Sequence, residues 1–231
     1  MSRIKQEVKL MDFSQGSVAK KMFVFAVPLF LSNMLQAIYQ LVDMVVVGQA
    51  IGKNGLSAVS IGGDLLSLLT FMAMGFSNAG QIIIAQNVGA GRKKSIHKIV
   101  GNLFFFLLMA SLSLSILSLC IQVPMLDWMN TPKEAWKMAS DYMWISSLGL
   151  VFIYGYNAVS AVLRGMGDSR HPFLFVTIAA GLNISLDLLF VLIFHWSALG
   201  AALATVISQG FSCLLIGSIY YMSGRWKKQR I

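Results

Sequence analysis

An acid inside an apolar run is the first feature of this sequence that asks for chemistry. Asp187 stands in the apolar stretch 174–194, which Asn183 also interrupts. An ionised Asp near the centre of a membrane helix costs roughly 2.5–3.5 kcal/mol, so such a residue faces a cavity and serves function. Asn183 and Asp187 are four apart, which stacks their side chains on one helical face. A second polar set, Gln36, Tyr39, Gln40 and Asp43, is spaced three, one and three apart, so most of it falls on one stripe. The chemistry on offer is a pair of carboxylates with carboxamides beside them, held away from water.

The elements that must position these residues follow from composition. Of 231 residues, 57% are hydrophobic and 12% charged, against about 25% charged in soluble domains. Mean hydropathy is +0.72. Both values read as an integral membrane protein with no soluble core left over. Hydropathy and punctuation place six spans, 22–47, 56–86, 99–123, 136–163, 173–194 and 198–222. All must be helices, because lipid offers no partner to an unpaired backbone group. The expected fold is an all-α six-helix transmembrane bundle. Breaks are expected at Gly48, Gly52 and Gly55, at Pro124, Asn130 and Pro132, and at 195–197. Residues 1–21 form a polar N-terminal segment, in which Ile4, Val8 and Met11 allow either a short interfacial helix or a solvated tail, and 223–231 a basic tail or the start of a linker. The first span is too long for a signal-peptide core and is expected to be retained.

Charge orients the bundle. Of eighteen Lys and Arg, all but Lys53, Lys133 and Lys137 fall on the side of the two termini. The positive-inside rule puts both termini in the cytoplasm. The net charge of +9 is thereby explained by topology rather than by nucleic acid, since the basic residues are scattered between spans. In this orientation Asp43 lies roughly 31 Å along its helix from Met22, and Asp187 roughly 22 Å from Pro172, at 1.5 Å per residue. The two acids share the outer depth zone, although Asp43 alone could equally reach interfacial water.

Other polar residues have plainer readings. Asp64 and Asp141 lie nearer the ends of their spans, where solvation suffices. Thr205 would ordinarily bond its own helix at i−4. The loops 89–94 and 164–170 read as tight turns with inward positive charge, since the GxxxxGK[ST] spacing is missing. Cys120 and Cys213 lie in apolar runs and behave as small hydrophobes, and His97, His171 and His195 are too dispersed for a metal cluster. No nucleophile–base set or cofactor loop supports an enzyme. Small residues from Gly200 to Gly217 allow close helix approach.

From about 18 to 224 the sequence resembles the multidrug and toxic compound extrusion (MATE) family, specifically its N-terminal six-helix lobe. The resemblance is carried by Val42-Asp43, Val47-Gly48, Leu56-Ser57-Ala58-Val59-Ser60, Ala85-Gln86-Asn87-Val88-Gly89-Ala90-Gly91 and Leu163-Arg164-Gly165-Met166-Gly167-Asp168. Asn183, Asp187, Gly200-Ala201-Ala202, Ala204-Thr205 and Ser208-Gln209 complete it. The resemblance implies one lobe of a twelve-helix antiporter that exports small organic cations in exchange for H⁺ or Na⁺ across a bacterial plasma membrane. It further implies cation binding at Asp43, Asn183, Asp187 and Thr205, with Gln36 and Tyr39 in the substrate cavity. Oxygen ligands suit a hard cation, and two acids in one dry cavity titrate as a coupled pair. No cofactor is expected beyond the coupling ion. The family's pathway runs between two lobes, so a second lobe is expected in cis, in trans or as a homodimer. The other readings are a truncated, non-transporting membrane protein and a lipid-linked sugar flippase, for which cationic cavity residues would be expected instead of Asp43 and Asp187.

Overall fold

A computed structural model describes residues 17–222, with side chains over 17–92 and 95–215. The predicted interfacial helix and the basic tail lie outside the described residues. Six helices are long and apolar enough to cross a membrane. They are α1 (Val18–Ile51), α2 (Lys53–Gly89), α3 (Lys93–Trp128), α4 (Lys133–Gly165), α5 (Arg170–Asp187, continued by a π-helical turn, Leu188–Ile193) and α6 (Ser197–Met222). Because the helices alternate in direction, the start of α1 and the end of α6 lie at one end of the bundle, called here the terminus end.

The helices run past the spans read from hydropathy at nearly every end. An apolar window marks the part that crosses lipid, whereas the backbone ladder continues wherever neighbours hold it. The breaks after the first and third spans are present, at Gly52 and around 129–132, but three of the residues expected to make them lie inside helices. Pro124 lies inside α3, and Gly48 and Gly55 lie inside α1 and α2. In a packed membrane bundle the donor lost at a proline is tolerated locally. The true corner between α1 and α2 is Gly52, at φ 77°, a left-handed conformation that glycine adopts without a Cβ penalty. A second difference was invisible to composition. The fifth span changes from α to π winding directly after Asp187, and such turns often occur at functional sites.

Helix α4 is the axis of the bundle, packed against α2, α3 and α6, while α1 leans mainly on α5. Within the most apolar stretch of each helix, 61% of α4 is buried but only 6% of α1. Two apolar clusters hold the bundle. One, toward the terminus end, includes Ile84, Leu103, Leu107, Leu150, Tyr154 and Phe175. The other, at the opposite end, is built of small residues, Ala58, Ala135, Ala139, Ala198, Ala201 and Ala202, with Val47, Leu126 and Tyr142. Small side chains let backbones approach, which is how membrane helices gain dispersion contact when lipid is as apolar as Leu. At Gly62 an added Cβ would meet the Tyr142 ring at 2.6 Å, and at Gly200 it would meet Phe190 at 3.0 Å.

A polar seam fastens α3 to α4. Ser115 Oγ donates to the Ser147 carbonyl at 2.7 Å, the hydroxyls of Ser118 and Ser147 are 2.7 Å apart, and Gln122 Nε2 donates to the Ser140 carbonyl and hydroxyl at 2.7 and 2.6 Å. Tyr154 adds a bond from its hydroxyl to the Leu69 carbonyl of α2 at 2.9 Å.

Candidate functional site

The two acids are brought together from different helices. Asp43 comes from α1, eight residues before that helix ends, and Asp187 is the last α-helical residue of α5. Each carboxylate lies within electrostatic reach of the other. Asp187 is 0% exposed, Asn183 1% and Asp43 9%. Asp43 is thus mostly enclosed, with its Oδ1 buried. Asp64, by contrast, is exposed, as its position near a helix end predicted.

Asn183 donates its amide to Thr205 Oγ1 of α6 at 3.3 Å. Thr205 thus meets a neighbouring helix rather than its own i−4 carbonyl, contrary to the expectation for an isolated membrane threonine. Three helices converge on one small volume. Within it, Asp43 Oδ1, both Asp187 oxygens and Asn183 Oδ1 are buried without a hydrogen-bond partner. Buried polar groups are nearly always paired, so four buried, unpartnered acceptors on these neighbouring residues make a site short of donors and positive charge. The donor set is oxygen only, which fits a proton or a hard monovalent cation rather than a transition metal.

Of the cavity residues, Tyr39 lies within electrostatic reach of both acids and is half-buried, whereas Gln40 points outward and is exposed. Gln36 is half-buried one turn below Tyr39, beside Tyr156 of α4.

Sequence reasoning missed three residues here. Tyr142 of α4, 5% exposed, lies in electrostatic reach of Asp43, Asp187 and Tyr39. Gln209 of α6 adjoins Tyr39 and buries an unpaired Oε1. Arg164, read as part of a loop, lies inside α4. The signal for Tyr142 was faint but present, since Gly62 on α2 is the residue whose missing side chain admits the ring.

Aromatic stacking closes the corner beyond the site. Phe190, Phe194 and Trp196 have ring centroids 5.1–6.2 Å apart, around a turn in which His195 and Ser197 both take φ 55°. This stack anchors the π-helical turn that carries the chain away from Asp187.

Comparison with known proteins matches this arrangement to one family. Residues 28–189 match the MatE family profile. The chain is 30% identical over 207 residues to the probable multidrug resistance protein YpnP of Bacillus subtilis (strain 168), covering 90% of this chain and 46% of that one. It is 33% identical over 199 residues to the probable multidrug resistance protein YoeA of the same organism, covering 84% and 43%. Among solved structures, a MATE protein in the bent conformation superposes with a TM-score of 0.82 at 25% identity, over 87% of this chain and 45% of that one. A MOP superfamily transporter from Pyrococcus furiosus superposes with a TM-score of 0.84 at 24% identity, over 91% and 46%. The chain spans about half the length of the curated relatives it matches. With six membrane-crossing helices in the fold of its relatives, this chain is a multi-pass membrane protein and belongs to the MatE family.

Proposed function

We propose that this chain forms the cation-binding lobe of a secondary antiporter that exports small organic cations in exchange for H⁺ or Na⁺. The observation that carries this reading is the pair of carboxylates, Asp43 and Asp187, of which Asp43 Oδ1 and both Asp187 oxygens are buried without a hydrogen-bond partner. The printed names of the relatives, which describe multidrug resistance proteins, support it.

The mechanism follows from charge. In the outward-open state Asp43 and Asp187 take up H⁺ or Na⁺, with Asn183 Oδ1 and Thr205 Oγ1 as further oxygen ligands for Na⁺. Neutralising the acids removes the attraction for a cationic drug, which leaves. In the inward-open state the ion departs, the negative site is restored and a new drug molecule binds. Exchange is driven by the difference in affinity between the two states. Gln36 and Tyr39 supply aromatic and amide surface against which an organic cation can lie, with Tyr142 packed behind them. A second six-helix lobe, in cis, in trans or as a second copy, completes the pathway, with both termini on the cytoplasmic side of a bacterial plasma membrane.

The test is efflux of a fluorescent organic cation from cells or vesicles carrying the chain in its native assembly. Asp187→Asn should insert normally and lose ion-driven export. Undiminished ion-dependent export by that variant would sink the proposal.

A further inference from the structure

A second polar cluster with an unsatisfied buried group lies nearer the terminus end of the bundle. Tyr156, Ser160 and Arg164 are four apart on α4, so they share one stripe. Arg164 is half-buried, and its Nε donates to Gln81 Oε1 of α2 at 2.8 Å. Among the described residues no acidic side chain pairs with it; Gln81 and the neighbouring Tyr156 are the groups that meet it. Ser160, 0% exposed, buries an Oγ with no hydrogen-bond partner beside Tyr156, and Gln36 of α1 approaches the same tyrosine.

We propose that Arg164, flanked by Ser160, Tyr156 and Gln36, is a binding site for a phosphate-type oxyanion at the terminus end of the bundle. A half-buried guanidinium without an acidic partner is a ready acceptor of an anion. Gln81 occupies only the Nε edge, which fixes the plane of the group and leaves both Nη groups as a fork. That fork matches two oxygens of a phosphate. The hydroxyls of Ser160 and Tyr156 and the amide of Gln36 are the neutral donors that a third and fourth oxygen require. The surroundings favour the same charge, because Arg92, Lys98 and Arg170 are exposed at this end and draw anionic headgroups or free anions toward it. The site has opposite polarity to the Asp43–Asp187 pair and does not depend on the antiport reading.

The source of the phosphate, a lipid headgroup or a free anion, is settled by two arms on the purified full chain. The first titrates phosphatidylglycerol, with phosphatidylcholine as control, and counts bound lipid by native mass spectrometry. The second follows the thermal midpoint in inorganic phosphate against chloride at equal ionic strength. For a headgroup site, the wild type retains phosphatidylglycerol selectively, and Arg164→Gln binds it about tenfold more weakly, as loss of a bidentate guanidinium contact requires. For a free-anion site the midpoint rises in phosphate instead, and Arg164→Gln abolishes the rise. Arg164→Lys, which keeps the charge but loses the fork, should fall between wild type and Arg164→Gln in whichever arm responds. Circular dichroism verifies that the variants keep their helix content. Equal binding by wild type and Arg164→Gln in both arms, or no selective binding by the wild type in either, would overturn the proposal.

Discussion

Two of the polar regions buried in this bundle differ in how far their groups are paired. Along the α3–α4 seam, Ser115, Ser118 and Gln122 each reach a partner on the facing helix at 2.6–2.7 Å. Around Asp43, Asn183 and Asp187, by contrast, four acceptor oxygens remain unpaired. The seam is also buried, but its groups are neutral and paired across the helices. The satisfied groups of the seam join helices, whereas the unsatisfied oxygens around the acids are open to a ligand. The contrast separates structural from functional polarity where composition alone cannot, since Ser, Gln, Asn and Asp all interrupt apolar runs in the same way.

Substitutions on either side of this contrast should have different signatures. The largest effect is expected at Asp187. In Asp187→Asn the modulation of drug affinity by H⁺ or Na⁺, about 5- to 150-fold for coupling of this kind, should collapse to unity while the thermal midpoint holds or rises; dye-binding titrations with and without Na⁺ read this directly. Next comes Asn183→Ala. It removes the amide that bonds Thr205 and one unpaired oxygen, so coupling-ion affinity should fall about tenfold, the scale of one lost ligand interaction, as checked by the ion concentration that half-displaces the dye. Gly62→Ala should act indirectly. Its Cβ would press on the Tyr142 ring at 2.6 Å, an overpacking that costs roughly 1–3 kcal/mol and should weaken drug binding along with stability. The smallest effect belongs to the seam: Ser118→Ala should lower unfolding free energy by about 0.6 kcal/mol, the mean for interhelical bonds in membranes, and leave ion-dependent binding unchanged. A seam variant that altered coupling would break the comparison.

Much of this was legible in the sequence because the bilayer imposes strong rules. Six apolar stretches could only be helices, and an acid such as Asp187 stands out against its apolar neighbours. The site residues on α5 were legible from their four-residue spacing. What was not legible depended on how the helices rotate against one another. Tyr142 looked like an ordinary aromatic near the start of a span, and only the packing of α4 on α2 at Gly62 turns it toward the acids. Arg164 counted as one more inward charge, because nothing in its spacing reveals that α4 continues through it and sets it against Gln81. The π-helical turn after Asp187 escaped notice for a simpler reason. Leu188–Ile193 is apolar throughout, and a change of winding leaves no compositional trace. Pro124 misled in the other direction, since a proline signal calibrated on water-exposed helices overstates breakage inside a packed membrane bundle.

The most direct measurement is competition between a fluorescent organic cation and the coupling ion on the purified chain in its native assembly, comparing wild type with Asp187→Asn. Acidification neutralises carboxylates, so in the wild type bound dye should be released as pH falls, as Na⁺ rises, or both. Asp187→Asn should bind dye with no such dependence. If the variant released dye with the same dependence on pH and Na⁺ as the wild type, the enclosed carboxylates would not be the exchange site.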